Sequence, residues 1–330
     1  ANISFNRNKV TDLGGLDEYK ISSKCFSTYY SQTYEYMVKP GEAVGNIYGY
    51  QTNGIFTTAD FASYNKSKDQ WLDANGKQIE TPLGAAYPGM TKIEKNSDTD
   101  GDGVMDDYKM VKLGNALPVV NGGFNIGWYV GSEKWGKVDF AANFTYSVGN
   151  DVANLSGLDY STMCSSTKGR NLLNSVSYDK RYSLFTQNET TGEFDFIPAG
   201  ATAVKNVVSG DNYTALALLI DEANEGKTVA NPYSATSTVL TDKYVEDASF
   251  LRLASLNIGY TLANKWTKKA HISTLRFFFS ASNLFCVTKY SGLDPEVSTR
   301  TKINPLAVGV DYGAFPKSRG FNFGLNISFE

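Results

Sequence analysis

Apolar and polar residues alternate one for one in several separate stretches of this chain. In the closing segment "FNFGLNISFE", Phe321, Phe323, Leu325, Ile327 and Phe329 fall on one side and Asn322, Gly324, Asn326 and Ser328 on the other, which is the period-2 pattern of a β-strand. In "VDFAANFTYSVGN", Val138, Phe140, Ala142, Phe144, Tyr146 and Val148 oppose Asp139, Asn143, Thr145 and Ser147. Just upstream, "GFNIGWYV" sets Phe124, Ile126, Trp128 and Val130 against Asn125, Gly127 and Tyr129, and only "GSEKWGK" separates the two, so they read as a hairpin. "SFLRLASLNIGYTL" supplies Leu256, Ile258 and Tyr260, and "STLRFFFSASNLF" supplies Leu275, Phe277, Phe279 and Ala281. Toward the start, "TYYSQTYEYMV" carries Tyr30, Tyr34, Tyr36 and Val38 on one parity and "NISF" carries Ile3 and Phe5, for about seven strands in all.

The links between these strands are short near residues 11 to 27, 131 to 137 and 263 to 271, and long near 39 to 118, 151 to 248 and 287 to 318. In an up-and-down meander every second link lies at the same end, so strict long-short alternation gathers all long loops at one end. That asymmetry marks outer-membrane β-barrels, and a bilayer crossing by a tilted strand takes about 9 to 11 residues. Trp135 and Trp266 in short turns, with Tyr129, Tyr146 and Tyr260 near strand ends, suit an interfacial aromatic girdle. The fold class expected is therefore all-β: an antiparallel up-and-down transmembrane β-barrel whose apolar stripes meet lipid. The alternative, a soluble extracellular β-sandwich or propeller that binds glycans, would bury the same stripes against a second sheet. Seven strands are too few for a bacterial barrel, so the chain reads as the C-terminal part of a larger one. An odd count from a periplasmic C-terminus places Ala1 at the long-loop end.

Composition narrows the function. Aromatic residues make up 13% and the net charge is only -3, which gives no electrostatic case for nucleic acid. Cys25, Cys164 and Cys286 are far apart and odd in number, which defines neither a disulfide framework nor a zinc site. No run approaches the roughly 20 apolar residues of a membrane-spanning helix.

The runs "DASFLRLASLNIGYTLANKW", "LRFFFSASNLFCVTKYSGLDPE" and "GVDYGAFPKSRGFNFGLNISF" resemble the C-terminal end of the SusC/RagA class of TonB-dependent outer-membrane transporters. Upstream, "GNIYGYQTNGIF", "DTDGDGVMDD", "LGNALPVVNGGFNIGW" and "FTYSVGNDV" fit the same class in the same order. The resemblance implies a non-enzymatic importer in the bacterial outer membrane, with loops extracellular and the C-terminus periplasmic. It also implies an N-terminal plug and further strands beyond this chain, energy supplied by the TonB complex, a SusD-like surface lipoprotein as partner, and oligosaccharides or peptides as cargo.

Within "DTDGDGVMDD", Asp98, Asp100 and Asp102 alternate ahead of Gly103, oxygen ligands spaced as in a calcium loop. The twelfth position of such a loop is Lys109 instead of Glu, so Asp106 or Asp107 would have to close the shell. The competing reading is an Asx-rich turn that caps itself. Asp294 and Glu296 of "YSGLDPE" lack a neighbouring acid, base or nucleophile and read as a structural turn, as does the lone His271. Tyr160, Tyr178, Tyr182, Phe194, Phe196 and Tyr213, in the longest link, are candidates for ligand or lid contacts.

Overall fold

The computed structural model describes residues 1–23, 30, 32–163, 171–204, 206–232, 238–299 and 304–329. Its largest element is a six-stranded antiparallel sheet. The strands are β1 (Asn2–Phe5), β2 (Val120–Ser132), β3 (Gly136–Val148), β4 (Phe250–Thr261), β5 (Ile272–Thr288) and β6 (Gly320–Phe329), paired in chain order. Sequential neighbours joined this way make an up-and-down meander, and β2 to β5 have the 12 to 17 residues that cross a bilayer with margin.

Register turns the alternation of each strand into continuous belts. Trp128, Phe140, Ile258, Phe279 and Phe323 lie side by side across five strands, and Val130, Val138, Tyr260, Phe277 and Leu325 form the next row. In β4 the apolar parity changes between Leu253 and Leu256. A register shift at that point keeps Leu251 and Leu253 on the same face as Leu256, Ile258 and Tyr260, as a bulge does by inserting one residue. This face is open: Phe323 is 81% and Phe321 55% exposed.

The opposite face is polar and internally bonded. Asn125 Nδ2 donates to Asn143 Oδ1 at 2.6 Å and Asn143 Nδ2 to Ser255 Oγ at 2.7 Å. Arg276 grips Asp139 with two bonds of 2.6 and 3.2 Å, laid over Gly259, where a Cβ would stand 2.2 Å from the guanidinium. The ring of Phe278 covers Gly324 in the same manner. Bulk on one strand thus requires glycine on the next.

The expected seventh strand is absent from this sheet. Of "TYYSQTYEYMV", residues 28, 29 and 31 lie outside the described ones, and Tyr36–Val38 is a short, fully buried strand in a separate four-stranded sheet with Tyr19–Ile21, Asn46–Gly49 and Val111–Asn115. All three of its residues are apolar and buried in the loops, so it is a core strand and not one that crosses a membrane. β1 therefore pairs directly with β2, and Asn2 stands opposite Gly123. This places Ala1 within the wall and not at the long-link end, which removes the odd-count inference. The links of 6–119, 149–249 and 289–319 alternate with short ones of 133–135 and 262–271.

Candidate functional site

The three long links are folded bodies. One core, with Ile21, Tyr36, Ile47, Leu155, Leu240 and Val310, draws on all of them, and a second, with Phe61, Tyr64, Trp71, Met90, Tyr213 and Ile220, joins the first two. Asp151–Asn154 pairs in parallel with Val310–Asp311, which locks the second link to the third. Helix α1 (Leu155–Ser161) starts at Asn154, whose side chain accepts from the Gly157 N–H. Helix α2 (Asp211–Ala223) buries Tyr213, Leu216 and Ile220 at helical spacing. Long-range packing of this kind is invisible to local periodicity, because its strands have only two to five residues each.

The third link is clamped to the wall through "LDPE". Arg252, on the polar side of β4, meets the buried Asp294 carboxylate at 2.6 Å and Glu296 at 3.4 Å, and Lys317 pairs with Glu296. Asp294 also accepts from the Glu296 N–H at 2.9 Å and the Lys317 N–H at 3.2 Å. Burial opposes its ionisation, but these backbone donors and the Arg252 guanidinium outweigh that and hold the carboxyl below its usual range. Both Asp294 oxygens are therefore engaged in structural bonds.

Asp98, Asp100 and Asp102 converge as the spacing expects, with ligand oxygens within 4.8 Å of one another. Asp98 accepts from the Gly101 and Gly103 N–H groups at 2.6 and 2.8 Å, bonds that lower its pKa. Gly103 makes the sharp turn at φ +87°. Asp106 bonds the Thr99 hydroxyl at 2.5 Å and Asp107 bonds the Tyr108 N–H at 2.8 Å. The loop is thus preformed, with Asp100 and Asp102 exposed at its tip.

The six aromatic candidates divide. Tyr182 and Tyr213 are core residues, with the Tyr213 hydroxyl on the Thr58 carbonyl at 2.7 Å. Tyr160 is exposed on α1. Tyr178, Phe194 and Phe196 line a cavity of about 820 Å³ together with Trp71, Tyr87 and Phe185, which sequence reasoning did not select. Their sequence separation, from 71 to 196, left no local signal. Of the girdle candidates, Trp135 and Trp266 are exposed in the short links and the Tyr260 hydroxyl bonds the Trp135 carbonyl at 2.6 Å. Tyr129 lies in register with Asp139, on the polar face, and does not join them. His271 is an exposed left-handed turn residue at φ +54°. Cys25 and Cys164 lie outside the described residues, and Cys286 is a free thiol.

An exposed apolar belt, a bonded polar face and long links collected at one end define a segment of an outer-membrane type β-wall. Known proteins agree with that class and bear out the resemblance carried by the motifs. Over 99% of its length the chain is 25% identical to TonB-dependent receptor P3 of Formosa agariphila and 24% identical to TonB-dependent receptor P39 of the same organism. A stretch of 36% of the chain is 29% identical to TonB-dependent receptor SusC of Bacteroides thetaiotaomicron, of which it covers 13%. The chain covers 26% of P3 and 28% of P39, so it spans about a quarter of the length of these relatives. No protein-family model matches it. Among solved structures, the RagAB peptide transporter aligns with 99% of the chain at 19% identity and a TM-score of 0.53, over 26% of its own chain. This is a likeness of fold. The curated relatives are receptors, not enzymes.

Proposed function

We propose that this chain forms part of the wall and the external loops of a TonB-dependent outer-membrane nutrient importer of the SusC/RagA class. The observation that carries the reading is the cross-strand belt from Trp128 to Phe323 on an open face of the sheet. A soluble sandwich or propeller would bury that belt, whereas hydrocarbon favours its exposure. On this reading the belt faces lipid, the long links lie outside the cell, the short links and the C-terminus lie in the periplasm, and the polar face lines the lumen. The cargo is oligosaccharide or peptide, captured with a SusD-like lipoprotein, and the TonB complex acts through parts of the protein beyond this chain. A calcium ion held by Asp98, Asp100 and Asp102, with Asp106 or Asp107 completing the shell, would rigidify the first long link. Its support is the convergence of the three carboxylates over a turn already shaped by Gly103.

The test is fractionation and uptake with the full-length protein. It should pellet with the outer membrane and require detergent for release, and its deletion should abolish energy-dependent uptake of one oligosaccharide or peptide class. Recovery in a detergent-free high-speed supernatant would defeat the reading.

A further inference from the structure

The cavity between the first and second long links has the build of a ligand site. One wall is a hairpin, Phe185–Gln187 against Phe194–Phe196, whose alternation puts Phe185, Phe194 and Phe196 on one face. Phe185 and Phe196 pack at 5.0 Å, and Tyr178 meets Phe194 edge-on at 5.1 Å. The Tyr178 hydroxyl donates to the Phe185 carbonyl at 3.1 Å and accepts from the Gln187 N–H at 3.1 Å, as a neighbouring strand would. The hairpin edge is thereby closed and the wall held rigid. The floor is Trp71, fixed against Tyr64 at 4.7 Å. Even so, Phe185 and Phe194, both lining the cavity, remain 43% and 51% exposed, and exposed aromatic surface on a rigid concave wall favours an apolar occupant.

The rim decides which occupant. It offers one carboxylate, Asp69, and one guanidinium, Arg181, whose Nη1 donates to the Val176 carbonyl at 3.2 Å and which lies over the Tyr178 ring. Asp69 spends one oxygen on the Tyr64 hydroxyl at 2.9 Å, the Ser183 hydroxyl accepts from the Phe185 N–H at 3.0 Å, and the Gln78 side-chain Oε1 accepts from the Gln70 side-chain amide at 3.1 Å. A sugar buried here would set a ring of hydroxyls against phenylalanine carbons, and each unpaired hydroxyl opposes binding. A short peptide with an aromatic or large aliphatic side chain fits the same surroundings. The side chain enters the aromatic wall, while the carboxylate and the amine each find one opposite charge.

We propose that this cavity is a peptide-binding site of the external loops, selective for aromatic and large aliphatic side chains. The proposal deepens the import reading and rests on it, because it names the class of cargo first held outside the membrane.

Binding is measured on the purified full-length protein in detergent by calorimetry, with Ala-Phe-Ala, Ala-Ala-Ala and maltotriose as probes. Ala-Phe-Ala should bind at least about tenfold tighter than Ala-Ala-Ala, and maltotriose should give no saturable heat. Phe194→Ala should weaken Ala-Phe-Ala about tenfold. Arg181→Gln should weaken it too, and less so when the peptide's C-terminus is amidated. Phe194 is half exposed, so the variant should keep the fold, checked by heat-modifiable mobility on a gel. If it does not, Phe194→Leu keeps apolar volume, removes the ring and carries the same expectation. Absence of Ala-Phe-Ala binding, equal binding by the variant and native proteins, or maltotriose binding that Phe194→Ala abolishes would each overturn the proposal. Calorimetry needs no energised transport, so lost uptake with intact peptide binding counts against the import reading alone, and the reverse against the cavity alone.

Discussion

Phe279 and Ser280 are adjacent in sequence and face opposite ways. Phe279 lies between Ile258 and Phe323 in the apolar belt, whereas Ser280 lies between Asn257 and Asn322 on the polar face. With the belt in hydrocarbon, Phe279→Arg should cost about 2–4 kcal/mol near mid-membrane. Ser280→Arg should cost much less, with both measured by denaturant unfolding from liposomes. Equal losses would refute the facing assigned to β5. The aspartates of the first long link make a second prediction at this scale. If they ligate calcium, chelation should raise protease cutting between residues 91 and 115, and Asp100→Ala should do so without chelator. Digestion indifferent to both would leave Asp98 as a cap for the Gly101 and Gly103 N–H groups and nothing more.

Between elements, single polar contacts hold long links to the wall. Removing one partner of a buried ion pair leaves an uncompensated charge and costs about 3–5 kcal/mol. Arg252 and Asp294 are such a pair, at 6% and 5% side-chain exposure. Arg252→Leu should therefore release the link of 289–319, seen as faster hydrogen exchange there with β2 and β3 unchanged. Asp294→Asn should be milder, because Glu296 still faces the Arg252 guanidinium at 3.4 Å and the amide oxygen keeps an acceptor for one of the two backbone donors. The four-stranded sheet contains a pH-dependent contact of opposite sign. Glu35 is fully buried and its carboxylate accepts from the Ser23 N–H at 2.7 Å, beside Tyr30 and Tyr36. Burial, opposed in part by the bonds from Ser23, raises its pKa to about 7. The folded state then binds more protons than the unfolded state between the usual glutamate value and pH 7, so stability must fall as pH rises through that window and level off above it. The loss should amount to a few kcal/mol, read as growing protease sensitivity of the first long link from pH 5 to 7. Glu35→Gln should abolish this trend, and a slope unchanged in that variant would exclude Glu35 as its source.

For the molecule as a whole, the unsolved problem of the sheet is its edges. β1 covers only the part of β2 from Val120 to Gly123, and β6 pairs on one side with β5 alone among the described residues. On the proposed reading the sheet lies in lipid, where each unpaired backbone group costs several kcal/mol, so both edges would need pairing strands beyond the six of this sheet. Cysteine pairs in the full-length protein, one cysteine scanned along β6 or along 124–132 of β2 and the other placed on a strand outside this chain, should oxidise to disulfides at positions that face each other across each edge. A 330-residue piece that inserts alone as a folded monomer would contradict the partial-wall reading.

The sequence determined the period-2 stripes of β2 to β6, the hairpin at 133–135, the long-short order of the links from β2 onward but not the short link expected at 11–27, and the convergence of Asp98, Asp100 and Asp102. All of these depend on residues close in the chain, since strand alternation and turn chemistry act over two to six positions. The tertiary structure decided the rest. The stretch "TYYSQTYEYMV" alternates like a wall strand, yet its Tyr36–Val38 part is buried throughout in a loop sheet, because alternation reports apolar surroundings without saying whether they are lipid or protein. The aromatic cavity came only with folding, because Trp71, Tyr178 and Phe194 are brought together by long-range packing, which leaves no periodic trace in the chain.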